Sequence, residues 1–459
     1  MVGYTFLLIL LLSAVGFVLN RNAAQELRAG GSRLHSLPVF HGGYALALAG
    51  LPALIFVLLW LMFEGSFVSA LVRASLPAEA VAGLGAGELS LIMAEVQQTA
   101  SGLIFGEPAQ YVRDAAAYYN TLHSISDWAM FALVLFILAG GIFLARRSVA
   151  TEFRARQRVE KVLSGLMIFA SVIAIFTTIG IVASLVFEAA RFFALVPITD
   201  FLFGTAWEPQ IAIRPDQIAG AGAFGWLPVI LGTLVITFIA LLVAVPVGLL
   251  SAIYLNEFAS PLLRKIAKPI LEVLAGVPTV VYGFFAILVV APALRSFGGD
   301  TLGLPISPNT ALAAGSVMGV MLIPFISSFA DDALTAVPRS MRDGSLALGA
   351  TQSETVLKVL FPAAIPGIVG GVLLAVSRAI GETMIVVMAA GLIATLTINP
   401  LDSVTTVTVQ IVTLLIGDTS FDNPKTLAAF ALGLMLFIVT LALNVVALRV
   451  VRKYRELYD

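Results

Sequence analysis

Nine apolar stretches of membrane-spanning length decide most of what this chain can become. They lie at roughly 3–19, 44–63, 128–145, 162–187, 226–250, 270–292, 309–330, 367–393 and 427–448 of 459 residues, near the ~20 mostly apolar residues that one crossing requires. Hydrocarbon offers no partner to an open backbone amide or carbonyl, so spans of this length are helices; strands of a membrane barrel would be ~10 residues with alternating polarity. The expected fold class is all-α, a polytopic membrane protein with about nine transmembrane helices. Composition agrees: 12% of residues are charged, about half the share of a soluble domain, and mean hydropathy is +1.02. No cysteine is present, which removes disulfides, thiolate metal sites and thiol nucleophiles.

The placement of Lys and Arg orients the spans. Arg146, Arg147, Arg154, Arg156, Arg158 and Lys161 lie between spans three and four, Arg264, Lys265 and Lys268 follow span five, Arg339, Arg342 and Lys358 precede span eight, and Arg449, Arg452, Lys453 and Arg455 crowd the C-terminus. These segments are expected in the cytoplasm. The stretch 64–127 is the reverse, with Glu64, Glu79, Glu88, Glu95, Glu107, Asp114 and Asp127 against Arg73 and Arg113, and is expected outside. Nine spans then place the N-terminus outside and the C-terminus inside. The first span has no basic residue before it and Arg21 after it, so it reads as a retained helix and not a cleaved signal.

Two blocks are expected. Residues 1–161 hold three spans, a cytoplasmic stretch with Arg21, Arg28 and Arg33, and an external segment where Leu91, Ile92, Ala94, Glu95 and Val96 suggest an amphipathic helix. Residues 162–459 hold six spans, with a Gly-, Pro- and Ala-rich external loop from Trp207 to Trp226. Pro246, Pro278, Pro324 and Gly381 interrupt or flank membrane helices, which neighbouring helices tolerate.

Span eight carries Ser377-Arg378-Ala379-Ile380-Gly381-Glu382-Thr383-Met384, where an acid and a base sit well inside an apolar stretch. Either charge alone at the bilayer centre costs ~2.5–3.5 kcal/mol on insertion scales, so the two must be paired or wetted. Four residues apart, they share one face of a continuous helix. A buried pair that merely fixes packing is the plain reading; an arginine that meets an oxyanion is the functional one. Between spans seven and eight, mixed charge and aliphatics at helical spacing around Gly349 predict two short amphipathic helices joined by a turn, a knob on one membrane face. An ordinary interfacial helix is the plain reading there. Asn256 and Glu257 are expected to cap a helix end or to sit against that segment. His35, His41 and His123 stand isolated in the sequence, and no Gly-Lys dipeptide occurs, so there is no P-loop.

The segment from Asp343 to Pro362 resembles the cytoplasmic coupling loop of ABC importer permeases, usually Glu-Ala-Ala, three residues, Gly, and a Leu-Pro near the end. Here Asp343 stands for Glu, Gly344 and Ser345 for the two alanines, Gly349 keeps its interval, and Phe361 precedes Pro362 in place of Leu. Leu274-Ala-Gly-Val-Pro-Thr-Val-Val-Tyr-Gly283, Ala252-Ile-Tyr-Leu-Asn-Glu-Phe258 and Arg378-Ala-Ile-Gly-Glu-Thr383 resemble the permeases of the phosphate-specific transport (Pst) system. Met384 after Gly-Glu-Thr is similar to the C-type permease, PstC. The resemblance covers about residues 162–455, and the N-terminal block resembles the extended form of this permease loosely. It implies a non-enzymatic subunit of a bacterial inner-membrane phosphate importer with no cofactor of its own and no nucleic-acid partner. Its implied partners are a PstA-like permease, a PstB-like ATPase dimer holding ATP-Mg, and a periplasmic PstS-like phosphate-binding protein. On that reading Arg378 and Glu382 line the substrate path, and Asp343, Gly344, Ser345, Gly349, Glu354 and Pro362 couple to the ATPase. Rival readings are a molybdate or sulfate permease, an ATP-independent channel or secondary transporter using Arg378 and Glu382 as a proton-linked pair, and a non-transporting sensor.

Overall fold

The computed structural model describes residues 1–77, 85–102, 108–210, 222–301, 303–416 and 423–455. Glu79, Glu107 and most of the loop between Trp207 and Trp226 lie outside them. Among the described residues nine helices are long and apolar enough to cross a membrane, one for each stretch expected from the sequence, and the only strands are a two-residue antiparallel pair, β1 (Trp207–Glu208) and β2 (Ala223–Phe224). The chain divides into two compact units, Met1–Phe176 and Thr177–Asp459.

The first unit contains α1 (Val2–Ala29), α2 (Pro38–Ser75), α3 (Ala86–Ala100), α4 (Gln110–Arg147) and the start of α5 (Ala155–Leu195). Its core is stacked in two layers along α2 and α4. Ala49, Ala53 and Val57 pack with Ile9, Met130, Val134 and Leu138 in one layer. Gly141 lets the backbones close there: a Cβ on it would lie 2.6 Å from the Ala49 Cα. In the other layer Val68, Val72, Val112, Ala115 and Ala116 pack with Met93 and Val96 of α3. That helix is the one expected from the periodicity at 91–96, although Leu91 is exposed and Met93 takes the buried position. A polar seam separates the layers, with Trp60 Nε1 donating to Ser126 Oγ at 3.0 Å and His123 Nδ1 lying 3.0 Å from Glu64 Oε1. His123, isolated in sequence, thus has a carboxylate partner 59 residues away, which sequence spacing does not reveal.

The second unit continues from α5 through α6 (Ile198–Phe203), the β-pair, α7 (Leu227–Ile253), α8 (Pro261–Ala275), α9 (Thr279–Phe285), α10 (Ala291–Leu294) and α11 (Ala311–Ala336). It then runs through α12 (Arg339–Ala347), α13 (Gln352–Thr355), α14 (Phe361–Ile380), α15 (Met384–Ala389), α16 (Val407–Leu415) and α17 (Pro424–Arg455). Of the spans, α11 is the most buried. It meets α7 through Gly315 and Gly319, four residues apart, where a Cβ would lie 2.7 Å from Ile239 Cβ and 2.8 Å from the Ala240 carbonyl oxygen. Small residues at this spacing are how membrane helices approach without a hydrophobic driving force. Phe192, Phe201, Trp207 and Phe224 form a second core of edge-on rings.

Three expectations need correction. Span six does not begin at 270, because α8 ends at Ala275, Gly276-Val277-Pro278 breaks the chain, and the crossing starts at Thr279. Span eight does not run to 393, because α14 ends at Ile380 and the chain turns through Gly381-Glu382-Thr383 before α15. Finally, the coupling segment is not two separate short helices. α13 passes through a π-helical turn, Val356–Leu360, directly into α14, so its second half is the foot of span eight.

Candidate functional site: a broken helix pair and a projecting turn

The motifs at the start of span six and the end of span eight come together. Gly283 of α9 lies against α15 so closely that a Cβ would sit 2.7 Å from Met388 Sδ and 3.3 Å from the Met384 carbonyl oxygen. Tyr282 Oη donates to the Leu274 carbonyl at 2.8 Å, which also accepts from the Val277 amide at 3.3 Å where α8 ends. Opposite it, Glu382 is buried, and its Oε1 accepts from the Met384 amide at 3.1 Å while the Glu382 carbonyl accepts from Thr408 Oγ1 at 2.9 Å. The carboxylate therefore caps the start of α15, where amide dipoles favour negative charge.

Arg378 is not bound to Glu382. The helix stops two residues before the acid, so the one-face relation of a continuous helix does not hold, and Glu382 turns to the amides of its own corner. The Arg378 guanidinium instead lies over the Phe325 ring of α11, 5.7 Å from its centroid, with the side chain exposed. Among the described residues no carboxylate pairs with it. Stacking on a ring face holds a guanidinium while leaving its donors open.

The six coupling candidates occupy one corner. Gly349 adopts φ +86, and two bonds around it, Gly349 N–H to Leu346 O at 3.0 Å and Ala350 N–H to Ser345 O at 3.2 Å, end α12 as a Schellman motif. Thr351 then opens α13 with a capping box: the Glu354 amide donates to Thr351 Oγ1 at 3.3 Å, and the Thr351 amide donates to Glu354 Oε2 at 3.0 Å. Ser345 Oγ lies 3.0 Å from Thr355 Oγ1 across the corner, and Pro362 sits in the first turn of α14. Asp343 and Gly344 are exposed on α12. At the tip, Leu348 is 91% exposed, an apolar side chain that the described residues leave uncovered.

The sequence offered Asn256 and Glu257 for a helix end or for this corner, but not the partners that make them a polar base. Glu257, in the π-helical turn Tyr254–Phe258 that ends α7, is ion-paired with Arg342 of α12, and its carbonyl accepts from the Gln352 side chain. It does sit against the coupling segment. Asn256 reaches the other way, donating to Asp331 Oδ1 at 2.7 Å and Thr335 Oγ1 at 2.9 Å on α11. Asp331 also receives Arg264 at 3.3 Å and is ion-paired with Lys268, both on α8. The available signal was Arg264 and Lys268 at i, i+4, with Leu262, Ile266, Ile270 and Val273 striping another face. That stripe is exposed along α8.

Among the described residues, membrane-length helices that begin or end at the 276–278 and 381–383 corners, an arginine with no carboxylate partner and a projecting turn describe the membrane subunit of a transporter. Residues 244–456 match the family model described as a binding-protein-dependent transport system inner membrane component, and residues 6–177 match one described as a phosphate ATP-binding cassette transporter. The chain is 34% identical over 217 residues to the probable ABC transporter permease protein YqgH of Bacillus subtilis, covering 47% of this chain and 68% of the relative. It is 32% identical over 277 residues to the phosphate transport system permease protein PstC 1 of Mycobacterium tuberculosis (55% and 81%). To PstC of Xylella fastidiosa it is 31% identical over 287 residues (57% and 87%). The chain belongs to the PstC-type family of ABC transporter permeases.

Proposed function

We propose that this chain forms half of the transmembrane pathway of an ATP-driven phosphate importer in a bacterial inner membrane. A PstA-like permease supplies the other half, a PstB-like ATPase dimer hydrolyses ATP-Mg on the cytoplasmic side, and a PstS-like binding protein delivers phosphate from outside. The N-terminus lies outside and the C-terminus in the cytoplasm, following the charge asymmetry of the loops. Residues 1–161 form an extension and residues 162–459 the permease core.

The observation that carries this reading is Arg378, a guanidinium stacked on Phe325 without a carboxylate partner, beside the break at Gly381-Glu382-Thr383. A phosphate anion meets open donors there and is held by charge and fork geometry. Glu382, kept at the adjacent corner by the Met384 amide, contributes negative charge nearby that prevents the anion from binding too tightly to leave. At the cytoplasmic end Asp343, Gly344, Ser345, Gly349, Glu354 and Pro362 shape the turn that docks on the ATPase, with Leu348 as its apolar tip.

The deciding experiment is uptake of labelled phosphate in cells lacking their own phosphate permease, supplied with this chain and its partners, with sulfate and molybdate as competitors. ATPase-dependent uptake that neither competitor reduces supports the reading. Uptake blocked by molybdate or sulfate transfers the site to that oxyanion, and uptake independent of the ATPase overturns the coupling.

A further inference from the structure

The polar base under the projecting turn ties four elements of the second unit into one block. Glu257 and Asn256 are adjacent in sequence but face opposite neighbours: Glu257 is ion-paired with Arg342 on α12 and its carbonyl takes Gln352, while Asn256 is hydrogen-bonded to Asp331 and Thr335 on α11. Asp331 closes the set by taking Arg264 and Lys268 from α8. The side chains of the two acids are 3% and 5% exposed, whereas the Arg and Lys side chains that reach them are 36–39% exposed.

This asymmetry defines what the block can do. A buried carboxylate that loses its cations keeps the full cost of an unpaired charge, while a half-exposed Arg or Lys passes into water with little penalty. Each buried carboxylate is therefore held to its cations by the cost of being left alone, which favours the closed arrangement. We propose that Asp331 and the Asn256-Glu257 joint are positioning residues that clamp α12, α8 and α11 together, so that movement of the projecting turn is delivered to the corners that bound spans six and eight. Two outlets lead from the clamp. Along α8 it reaches the Gly276-Val277-Pro278 break, where Tyr282 holds the Leu274 carbonyl at 2.8 Å. Along α11 it reaches Phe325, six residues before Asp331 and ~9 Å along the helix axis, whose ring carries Arg378. Coupling across such distances is carried by packed elements and charge networks, and a clamp that stays closed makes α12, α8 and α11 move together.

This inference rests on the reading of the chain as an ATP-driven permease, and its test has two arms. In vesicles holding the complete complex with its ATPase and binding protein, phosphate moved per ATP hydrolysed is measured. Asp331→Asn is expected to lower that ratio about tenfold while hydrolysis continues, Asp331→Glu to recover most of it, and exchange of the pair (Asp331→Lys with Lys268→Asp) to recover part. If Asp331→Asn does not accumulate in the membrane, Arg264→Gln with Lys268→Gln, altered only at half-exposed heads, carries the same expectation. An unchanged ratio in the variants overturns the clamp. The second arm needs no transport: the chain has no cysteine, so spin labels at Ile266→Cys on α8 and Ser340→Cys on α12 report one distance. With the clamp, that distance is the same before and after ATP binding in the wild-type background and spreads in Asp331→Asn; equal distributions in both backgrounds overturn it. A wild-type complex that moves no phosphate refutes the substrate reading alone, and the label distances still judge the clamp.

Discussion

Arg378 and Glu382 were visible in the sequence as charges inside an apolar run, but their relation was not. Residue spacing presumes a continuous helix, and whether a Gly-Glu-Thr corner ends one depends on Glu382 meeting the Met384 amide and Thr408 meeting the Glu382 carbonyl, a tertiary contact. The structure separates their expected roles. Arg378→Ala, inserted normally, is expected to lower phosphate uptake at least about tenfold, with Arg378→Lys intermediate; full uptake by the alanine variant sinks the proposed anion site. Glu382→Gln keeps an oxygen for the Met384 amide and is expected to leave thermal stability unchanged. Glu382→Ala is expected to lose the cap and ~0.5–2 kcal/mol, read as a lower unfolding midpoint in detergent. Equal midpoints for the two variants contradict the capping role.

At the scale of elements, hydropathy located all nine crossings, since a span is a local property of ~20 residues. It did not locate the corners at 276–278 and 381–383, because apolar residues lie on both sides of each and only Gly276, Pro278 and Gly381-Glu382-Thr383 mark them. Asn256 and Glu257 were expected at a helix end or against the coupling segment, but their partners were illegible because they lie 75 to 85 residues away. The projecting corner, by contrast, is written locally in Gly349, Thr351 and Glu354. Gly349→Ala places a Cβ in the left-handed region at ~1–2 kcal/mol, with open space around it, so the cost is conformational and not steric. It is expected to weaken coupled uptake while the protein still inserts. Leu348→Asp touches nothing of its own chain and is expected to leave stability unchanged while abolishing co-purification of the ATPase. Retained co-purification removes Leu348 from the docking surface.

Across the whole molecule, the lack of cysteine makes the proposed topology directly readable. A cysteine placed at exposed Leu91 is expected to react with an impermeant maleimide added to intact cells, and one at Leu348 only after the membrane is opened; the opposite pattern inverts the orientation. One feature of the first unit reaches further. The helices α2 and α4 each run 38 residues without interruption, ~57 Å at 1.5 Å per residue, against a hydrocarbon core of ~30 Å. Their apolar halves and the three-helix layer around Met93 and Val96 are thus parts of the same two rods, bolted at the Glu64–His123 seam. Two helices of this length, packed on each other through both layers, make one stiff pair: a displacement at either end is carried to the other along the same two backbones.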